Sequence, residues 1–489
     1  MNEAIHPLAR KTVVWHLAVT SLVLILMMIF GVIMLMNQGE MISITPQWFY
    51  KIMTAHGTGM VGIAALGGTA ILWYFLSKYV KLNPAILIVN FVLFLTGVSM
   101  VLIAIFVFDF SDGWTFLYPL PAQSAKMYGA AGAVFFLSGM LVLGFGFLIL
   151  YMYLAARLTA VYGGLGKALG WDIIFRGKKG YGPPAAVVAT AMVIITNSTA
   201  LLAGATVLAA SLVNIINPAV TMDPLLAKHL TYAFGHIFAN CTIYMAVIAV
   251  YEVLSEYTKR PWKANKVFLI AWNCSTLFTL MIYTHHLLMD FAVPKWMLII
   301  GQVFSYANGL PVMVVTAYGA LMIVYRSRMK WDFASSLFFL SMFGWVAGAI
   351  PAIIDATIVV NHVMHNTKWV PGHFHTYMGM GVVAMIIGFM YYFNKTEGNQ
   401  EHRGIDTFTI ALYFVFYGTC GLFPLCRRNQ CTKKMVRTPA AMGAVRPGRR
   451  SQRNLYRSGR NHLHRKIFSG LRYVGSQVPY QKNQQLAEK

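Results

Sequence analysis

Long apolar stretches, each broken by a short polar connection, fill this chain from about residue 13 to about residue 425. About eleven of them reach the roughly 20 residues that a helix needs to span a bilayer. They run near 13–36, 52–77, 84–108, 127–156, 184–213, 229–254, 266–291, 296–325, 334–360, 371–393 and 405–425. A chain inside a bilayer has to pair its backbone polar groups within each segment, so helices are expected throughout. The pattern predicts an all-α polytopic membrane protein with one continuous helical domain over residues 1–425. The first apolar run is too long for a cleavable signal peptide and lacks a small-residue cleavage site, so none is expected.

Composition agrees: 58% of residues are hydrophobic and only 11% charged, far too apolar for an ordinary soluble domain. Basic residues occupy every second connection: Lys78 and Lys81, then Arg157 to Lys179, then Lys259, Arg260 and Lys263, then Arg326, Arg328 and Lys330. Positive loops stay inside, so the N-terminus, with Arg10 and Lys11, is expected to be cytoplasmic in a bacterial plasma membrane. The five cysteines follow no paired or metal-finger spacing (Cys241, Cys274, Cys420, Cys426 and Cys431), and free thiols are expected.

The end of the chain differs. From Cys426 onward there are sixteen Lys or Arg and one acid, Glu488, a net of +15 that leaves +9 of the formal +24 for residues 1–425. Such a run is ordinarily a disordered basic tail on anionic lipid or nucleic acid. Here the eleventh apolar segment stops abruptly at Leu425 and an unpatterned Arg-rich sequence follows, as a shifted reading frame would produce. Residues 426–489 are therefore read as an aberrant or disordered tail and the last helix as truncated. No function is drawn from the tail, and nucleic acid is not an expected partner.

Polar side chains inside apolar segments carry the chemistry. His56, His236, the pair His285 and His286, and the pair His373 and His375 each lie in or at the edge of such a segment, where an imidazole is costly without a partner. With the orientation fixed by loop charge, the second, sixth and tenth helices enter from the outer face and the seventh ends there. At about 1.5 Å rise per residue, all six histidines then fall in the outer part of the bilayer. Imidazole is the usual ligand of haem iron and copper. Residues two apart on a helix point about 200° apart, so His373 and His375 face opposite flanks and one helix serves two cofactors. Adjacent residues differ by about 100°, so His285 and His286 can converge on one ion with His236, and three imidazoles leave an open coordination position. His56 remains to pair with one of the two histidines on the tenth helix. A lone intramembrane histidine more often bonds between helices than binds metal, and His16, His229, His362 and His365 are read that way.

The strings Gly235-His236, Tyr283-Thr-His285-His286 and His365-Asn-Thr-Lys-Trp-Val-Pro-Gly-His-Phe-His375 resemble the catalytic subunit I of the haem–copper oxidase superfamily over roughly residues 10–425. The last string looks most like the B-type branch. The resemblance implies a haem–copper oxidase-like bundle in which His56 and His375 ligate a low-spin haem and His373 is the proximal ligand of a high-spin haem. It implies that His236, His285 and His286 hold a copper facing that haem, with iron less expected at this second metal. It further implies a respiratory electron-transport enzyme with a subunit II-like electron-entry partner, fed by cytochrome c or a cupredoxin, a quinol donor being the other choice.

One position departs from that pattern. B-type oxygen reductases carry a tyrosine four residues after the first copper-ligand histidine, and here that position is Asn240. Splitting O2 in one step takes four electrons, two assigned to the high-spin iron, one to copper and one to the tyrosine. Reducing two NO to N2O and water takes only two. The sequence therefore favours a nitric oxide reductase over a B-type cytochrome c oxidase that reduces O2 to water with proton translocation. Asn240, on the face of His236, is expected to hydrogen-bond the gas or approach the metal, or else to pair with a neighbouring polar group. Tyr283 and Tyr244 are the nearest replacements for the missing phenol, the first facing away from His285 and the second lying deeper in the helix.

The proton route also changes. The B-type tyrosines eleven and fifteen residues after the first copper histidine correspond to Val247 and Tyr251, with Thr242, Tyr244 and Ser275 as candidates to bridge the gap. Glu252 and Glu256 read equally well as interface charges. Asp290, four residues after His286, reads as an exit-side group or a helix-end charge, and His365 and Asn366 as propionate contacts. Arg449 and Arg450 match the family's basic pair in composition only. Two other classes are weaker. A secondary transporter would show inverted repeats and broken helices, which are not visible here. An electron-transfer haem protein would leave His236, His285 and His286 idle.

Overall fold

The structure, a computed structural model, describes residues 5–124, 127–365, 367–395 and 404–426, with side chains described as far as residue 415. Ten helices among these residues are long and apolar enough to cross a membrane. They are α1 (Pro7–Gln38), α2 (Pro46–Leu76), α3 (Pro84–Phe106), α4 (Ala130–Tyr162), α5 (Ala185–Ile216), α6 (Pro224–Thr258), α7 (Lys266–Leu287), α8 (Lys295–Val324), α9 (Phe333–Asp355) and α10 (Trp369–Asn394). An eleventh, α11, covers Gly404–Cys426. The tail and Asn366 lie outside the described residues.

Most helices begin a little before their apolar run, because a polar cap sets the start. Thr45 accepts from the Trp48 N–H ahead of α2, Asp223 from the Leu226 N–H ahead of α6, and Asn265 from the Phe268 N–H ahead of α7. Proline at the first helical position follows the cap in α2, α3 and α6, where its missing N–H costs nothing. Asp332 and Ser335 cap each other's backbone at the start of α9.

Two boundaries beside the histidines differ from the hydropathy reading in kind, not only in length. The α-helical part of α7 ends at Met281, and its last turn, Ile282–Leu287, is a tighter 3₁₀ turn carrying His285 and His286. The ninth segment stops at Asp355, and a separate short helix, Ile358–Met364, follows before α10. Apolar composition continues across both places, so hydropathy could not register the change of geometry. Within α10, residues Thr376–Val383 form a π-helical stretch, a widening that recurs at functional sites.

Helices α6 and α2 are the most enclosed elements and α1 the most exposed, so the core is built around α6. Helix α6 packs on α2, α5, α7, α8, α9 and α10, and the main apolar core is filled by its Ile243–Val250 stretch, buried on all sides, together with Trp272, Trp345 and Phe389. At the end of the bundle away from the histidines, charges are tied to aromatic hydroxyls. Glu252 accepts from Tyr79 at 2.8 Å and Glu256 from Tyr392 at 2.7 Å, while the Lys78 ammonium lies 3.8 and 3.9 Å from the two carboxylates. These acids brace α2, α6 and α10, the interface role that the sequence allowed for.

Candidate metal centre

Helices α2 and α10 bring His56 and His375 face to face. Their ring centroids are 6.0 Å apart and their planes 20° apart. Each ring donates its Nδ1–H to a backbone carbonyl, His56 to Met27 at 2.7 Å and His375 to Pro371 at 2.6 Å. Both Nε2 atoms are thereby fixed as acceptors, the form a metal requires. Two imidazoles on opposite sides of one iron, each about 2 Å from it, have centroids about 6 Å apart. The observed pair fits a haem with two axial histidines.

His373 turns the other way, as two-residue spacing on a helix demands. Its Nδ1–H donates to the Gly348 carbonyl of α9 at 3.0 Å, again leaving Nε2 as the free base. Gly348 is small for a reason: a Cβ there would fall 2.5 Å from the Tyr377 Cα, so a side chain would push α10 away from the carbonyl it uses.

The second cluster joins α6 to the end of α7. One ligand nitrogen from each of His236, His285 and His286 lies within 4.8 Å of the others, and among the described residues the group contains imidazoles alone. His236 Nδ1 and His286 Nε2 share a hydrogen bond of 2.9 Å, and the buried His236 Nε2 has no partner among the described residues. A buried polar atom left unpaired is costly and calls for a ligand. Nitrogens about 2.0–2.1 Å from one ion are at most about 4 Å apart, so the triangle needs to close by only about 1 Å to hold one. Ser305 of α8 gives its proton to the Gly301 carbonyl at 2.6 Å, so its oxygen accepts from His285 Nδ1 at 2.9 Å, and this leaves His285 Nε2 as the free base. Tyr232, one turn before His236, stacks on His286 with centroids 4.8 Å apart and planes 6° apart.

The two centres meet around α6 and α10. Tyr377, one turn beyond His373, donates to Asn240 Oδ1 at 3.0 Å, and Asn240 donates in turn to the Tyr244 hydroxyl at 3.4 Å. Asn240 is thus held between two phenols, the pairing with neighbouring polar groups that the sequence left open. Tyr244 lies one turn below Asn240, as expected, whereas Tyr283 turns to His229 at 3.4 Å. Trp114, in the connection between α3 and α4, lies across α2 and α6. A Cβ on Gly57 would come 2.7 Å from its ring and one on Gly235 3.0 Å, and these glycines neighbour His56 and His236.

The remaining polar residues divide. Tyr251 bonds to Thr316 at 2.7 Å, while Thr279 donates to Asn308 at 2.9 Å and Ser275 to the Asn308 carbonyl at 3.3 Å. The Trp272 ring contacts both Tyr244 and Tyr251. Thr242 joins none of these bonds, since its hydroxyl turns back to the Ala239 carbonyl of its own helix. His16 donates to the Thr12 carbonyl at 2.9 Å and stacks on Phe91, a structural role, and His362 is exposed. Asp290 pairs with Lys228 at 2.6 Å, and the Lys228 hydrogen bond holds its carboxyl below the usual value. Burial, then the charge of Lys228, lowers the basicity of His365. Cys241 and Cys274 are free thiols.

Sequence reading missed Tyr377, Ser305, Asn308, Thr316 and Tyr232. Two of these were accessible: Tyr377 is four residues after His373 and Tyr232 four before His236, and i,i+4 neighbours share a face. The other three sit on α8, and nothing local in the sequence says which residues of α8 face α6 and α7.

Residues 11–436 match the sequence profile of the family described as cytochrome c and quinol oxidase polypeptide I. Cytochrome c oxidase subunit 1 of Thermus thermophilus is 23% identical over 188 residues, covering 35% of this chain and 33% of that protein. Cytochrome c oxidase subunit 1 of Candida albicans is 26% identical over 188 residues, covering 37% and 34%. The haem–copper oxidase subunit I+III of Aeropyrum pernix is 23% identical over 202 residues, covering 40% and 24%. The aligned regions thus span about a third or less of the length of these relatives. Among solved structures, a haem–copper terminal oxidase dimer superposes with a TM-score of 0.64 at 20% identity, over 79% of this chain and 68% of that one, a likeness of fold.

Proposed function

Since the chain belongs to the family of cytochrome c and quinol oxidase polypeptide I, the catalytic subunit I of the haem–copper superfamily, we propose that it reduces two molecules of NO to N2O and water at a haem–copper centre. His56 and His375 would hold the low-spin haem, His373 the high-spin haem, and His236, His285 and His286 the copper. The all-imidazole composition of that triad favours copper over iron. When bound, iron and copper supply the two electrons that joining two NO requires.

The observation that carries the choice of gas is Asn240. It occupies the position one turn from His236 and cannot give an electron, and its amide oxygen is taken up by Tyr377. The chain's own residues have three tasks. The carbonyls of Met27, Pro371 and Gly348 and the hydroxyl of Ser305 fix the tautomers of four imidazoles, so the Nε2 atoms of His56, His375, His373 and His285 are bases before any metal arrives. Tyr232 and Trp114 wall the centre with aromatic surface. The two protons of the reaction would arrive past the hydrogen-bonded pairs Tyr251–Thr316 and Thr279–Asn308 and the Tyr244 hydroxyl.

In the cell the chain would lie in a bacterial plasma membrane with its N-terminus inside and the metal centres toward the outer face. A subunit II-like partner would deliver electrons from cytochrome c or a cupredoxin, or a quinol would do so directly. Residues 1–425 would form the catalytic domain. The test is gas analysis of the purified complex with a reduced donor and labelled NO under argon. One N2O per two NO at enzyme-dependent rates is expected. Absence of N2O, with rapid O2 uptake in air, would overturn the choice of substrate.

A further inference from the structure

Two connections at the end of the bundle away from the histidines concentrate positive charge. Residues 163–184, between α4 and α5, and residues 259–266, between α6 and α7, hold eight Lys or Arg and one acid, Asp172. We propose that together they form a binding site for the phosphate headgroups of anionic phospholipids. The proposal rests on the membrane-spanning fold and not on the gas or the metals of the centre.

The two connections are one structure. The Gly182 N–H donates to the Ala264 carbonyl at 2.8 Å, and the Lys263 ammonium lies over the Tyr181 ring, 5.4 Å from its centroid. The longer connection is also pinned to α7. Trp171 donates its Nε1–H to Asn273 Oδ1 at 2.6 Å, and Asn273 donates in turn to the Leu169 carbonyl at 3.0 Å. Leu169 and Ile173 are buried in the main apolar core. A Cβ on Gly170 or Gly182 would fall 2.6 or 2.8 Å from the buried Leu269 side chain, so the connection lies directly against α7. With these groups turned inward, the rest of the connection faces out.

What it presents is a mixture seldom left to water. Phe175 is 73% exposed, Tyr181 60% and Trp171 48%. Lys167, Arg176, Lys179, Lys259, Lys263 and Lys266 are exposed with them. Gly177 and Gly180, with φ of 71° and 110°, make the turn that carries Lys178 and Lys179. Lys178 pairs with Asp172 at 2.9 Å, which engages the lone acid. Arg260 is turned to the end of α8, where it donates to the carbonyls of Ile323, Tyr325 and Arg326. An excess of positive charge remains on the outside.

Charge and aromatic surface together point to one occupant. Positive charge alone would suit nucleic acid or an acidic protein. Here it is interleaved with exposed rings on connections fixed to the ends of membrane-spanning helices, at the depth of lipid headgroups. Aromatic rings settle at that depth, and Lys and Arg are drawn to anionic headgroups there. The lipid phosphate is the counter-charge for Arg176 and Lys179, and the acyl chain covers Phe175. The connection at residues 77–83 differs, since its Lys78 is engaged by Glu252 and Glu256.

The experiment places a benzoylphenylalanine photoprobe at residue 175 of the purified complex, in vesicles of phosphatidylcholine with a minor fraction of phosphatidylglycerol. After illumination, mass spectrometry of the labelled peptide counts the two lipid adducts. Phosphatidylglycerol adducts should exceed that lipid's share of the vesicle. Arg176→Gln with Lys179→Gln should lower the excess about tenfold, because each cation near a membrane surface adds to anionic-lipid affinity. Arg326→Gln with Arg328→Gln, an equal loss of charge between α8 and α9, should leave it unchanged. If the first double variant does not assemble, the wild-type excess must instead disappear as salt is raised. Wild-type adducts in proportion to the vesicle composition would overturn the proposal. So would an excess that survives Arg176→Gln with Lys179→Gln, one lost equally in the control, or a probe that labels added RNA or another protein rather than lipid.

Discussion

The two groups of histidines are built on different principles. His56 and His375 come from the early turns of two helices, each anchored through Nδ1 to a backbone carbonyl, with near-parallel rings about one iron's span apart. His236, His285 and His286 come from one regular helix and one 3₁₀ turn. They bond to each other and to a serine hydroxyl, and one nitrogen is left buried and unpaired. The first pair is held by main chain and is ready for a planar group. The second is held by side chains and, on the proposed function, would be completed by an ion. Rigidity in the first suits electron transfer, which needs an unchanging ligand set, and an adjustable triangle with an open position suits a centre that binds gas.

The largest effect expected from this contrast is a clean separation of the two groups. His236→Ala or His285→Ala should abolish turnover and copper binding while the low-spin haem spectrum persists, and His56→Ala should remove that spectrum instead. Loss of the low-spin signal in the first two variants would break the assignment. Next comes Ser305→Ala. The serine is a side-chain anchor with no equivalent in the carbonyl-anchored pair, and its loss should lower copper affinity about 10- to 100-fold, measured by competition with a chelator. Unchanged affinity would show that the Ser305 hydrogen bond does not set the His285 tautomer.

Gly31→Ala probes the other group. Its Cβ would lie 3.2 Å from His56 Cε1, close enough to shift the ring by a few tenths of an ångström. A redox titration should show a displaced low-spin haem potential at unaltered copper content. The smallest effect concerns the link between the ends of α6 and α7. Asp290 has a lowered carboxyl pKa because Lys228 hydrogen-bonds its charged form. The resulting stability is fully present above the ordinary carboxylate value of about 4 and is lost as pH falls through the lowered one. Asp290→Asn should therefore cost about 1 kcal/mol at neutral pH, with the difference vanishing in acid. A difference that persists at low pH would deny the ion pair its role.

What the sequence reveals follows the same divide. Hydropathy marks each membrane helix, because a bilayer leaves the backbone few other choices, and spacing on one helix tells which way His373 and His375 face. The partners of the second group were not legible, because they depend on how helices rotate against one another. Ser305 and Asn308 lie on α8 in a sequence with no distinguishing pattern. The 3₁₀ turn at His285 and His286 is invisible too, since the apolar run continues through it. Tyr377 is the instructive miss. The sequence offers Tyr283 and Tyr244 as the nearest phenols to Asn240, while the phenol that donates to it enters from α10.

The measurement that tests the central claim most directly is the haem and copper content of the purified complex together with its carbon monoxide difference spectrum. The account predicts two haems and one copper per chain, with half of the haem responding to carbon monoxide and the other half, held by His56 and His375, unresponsive. A single haem, no copper, or carbon monoxide binding by all of the haem would contradict the division of the six histidines between two unlike centres.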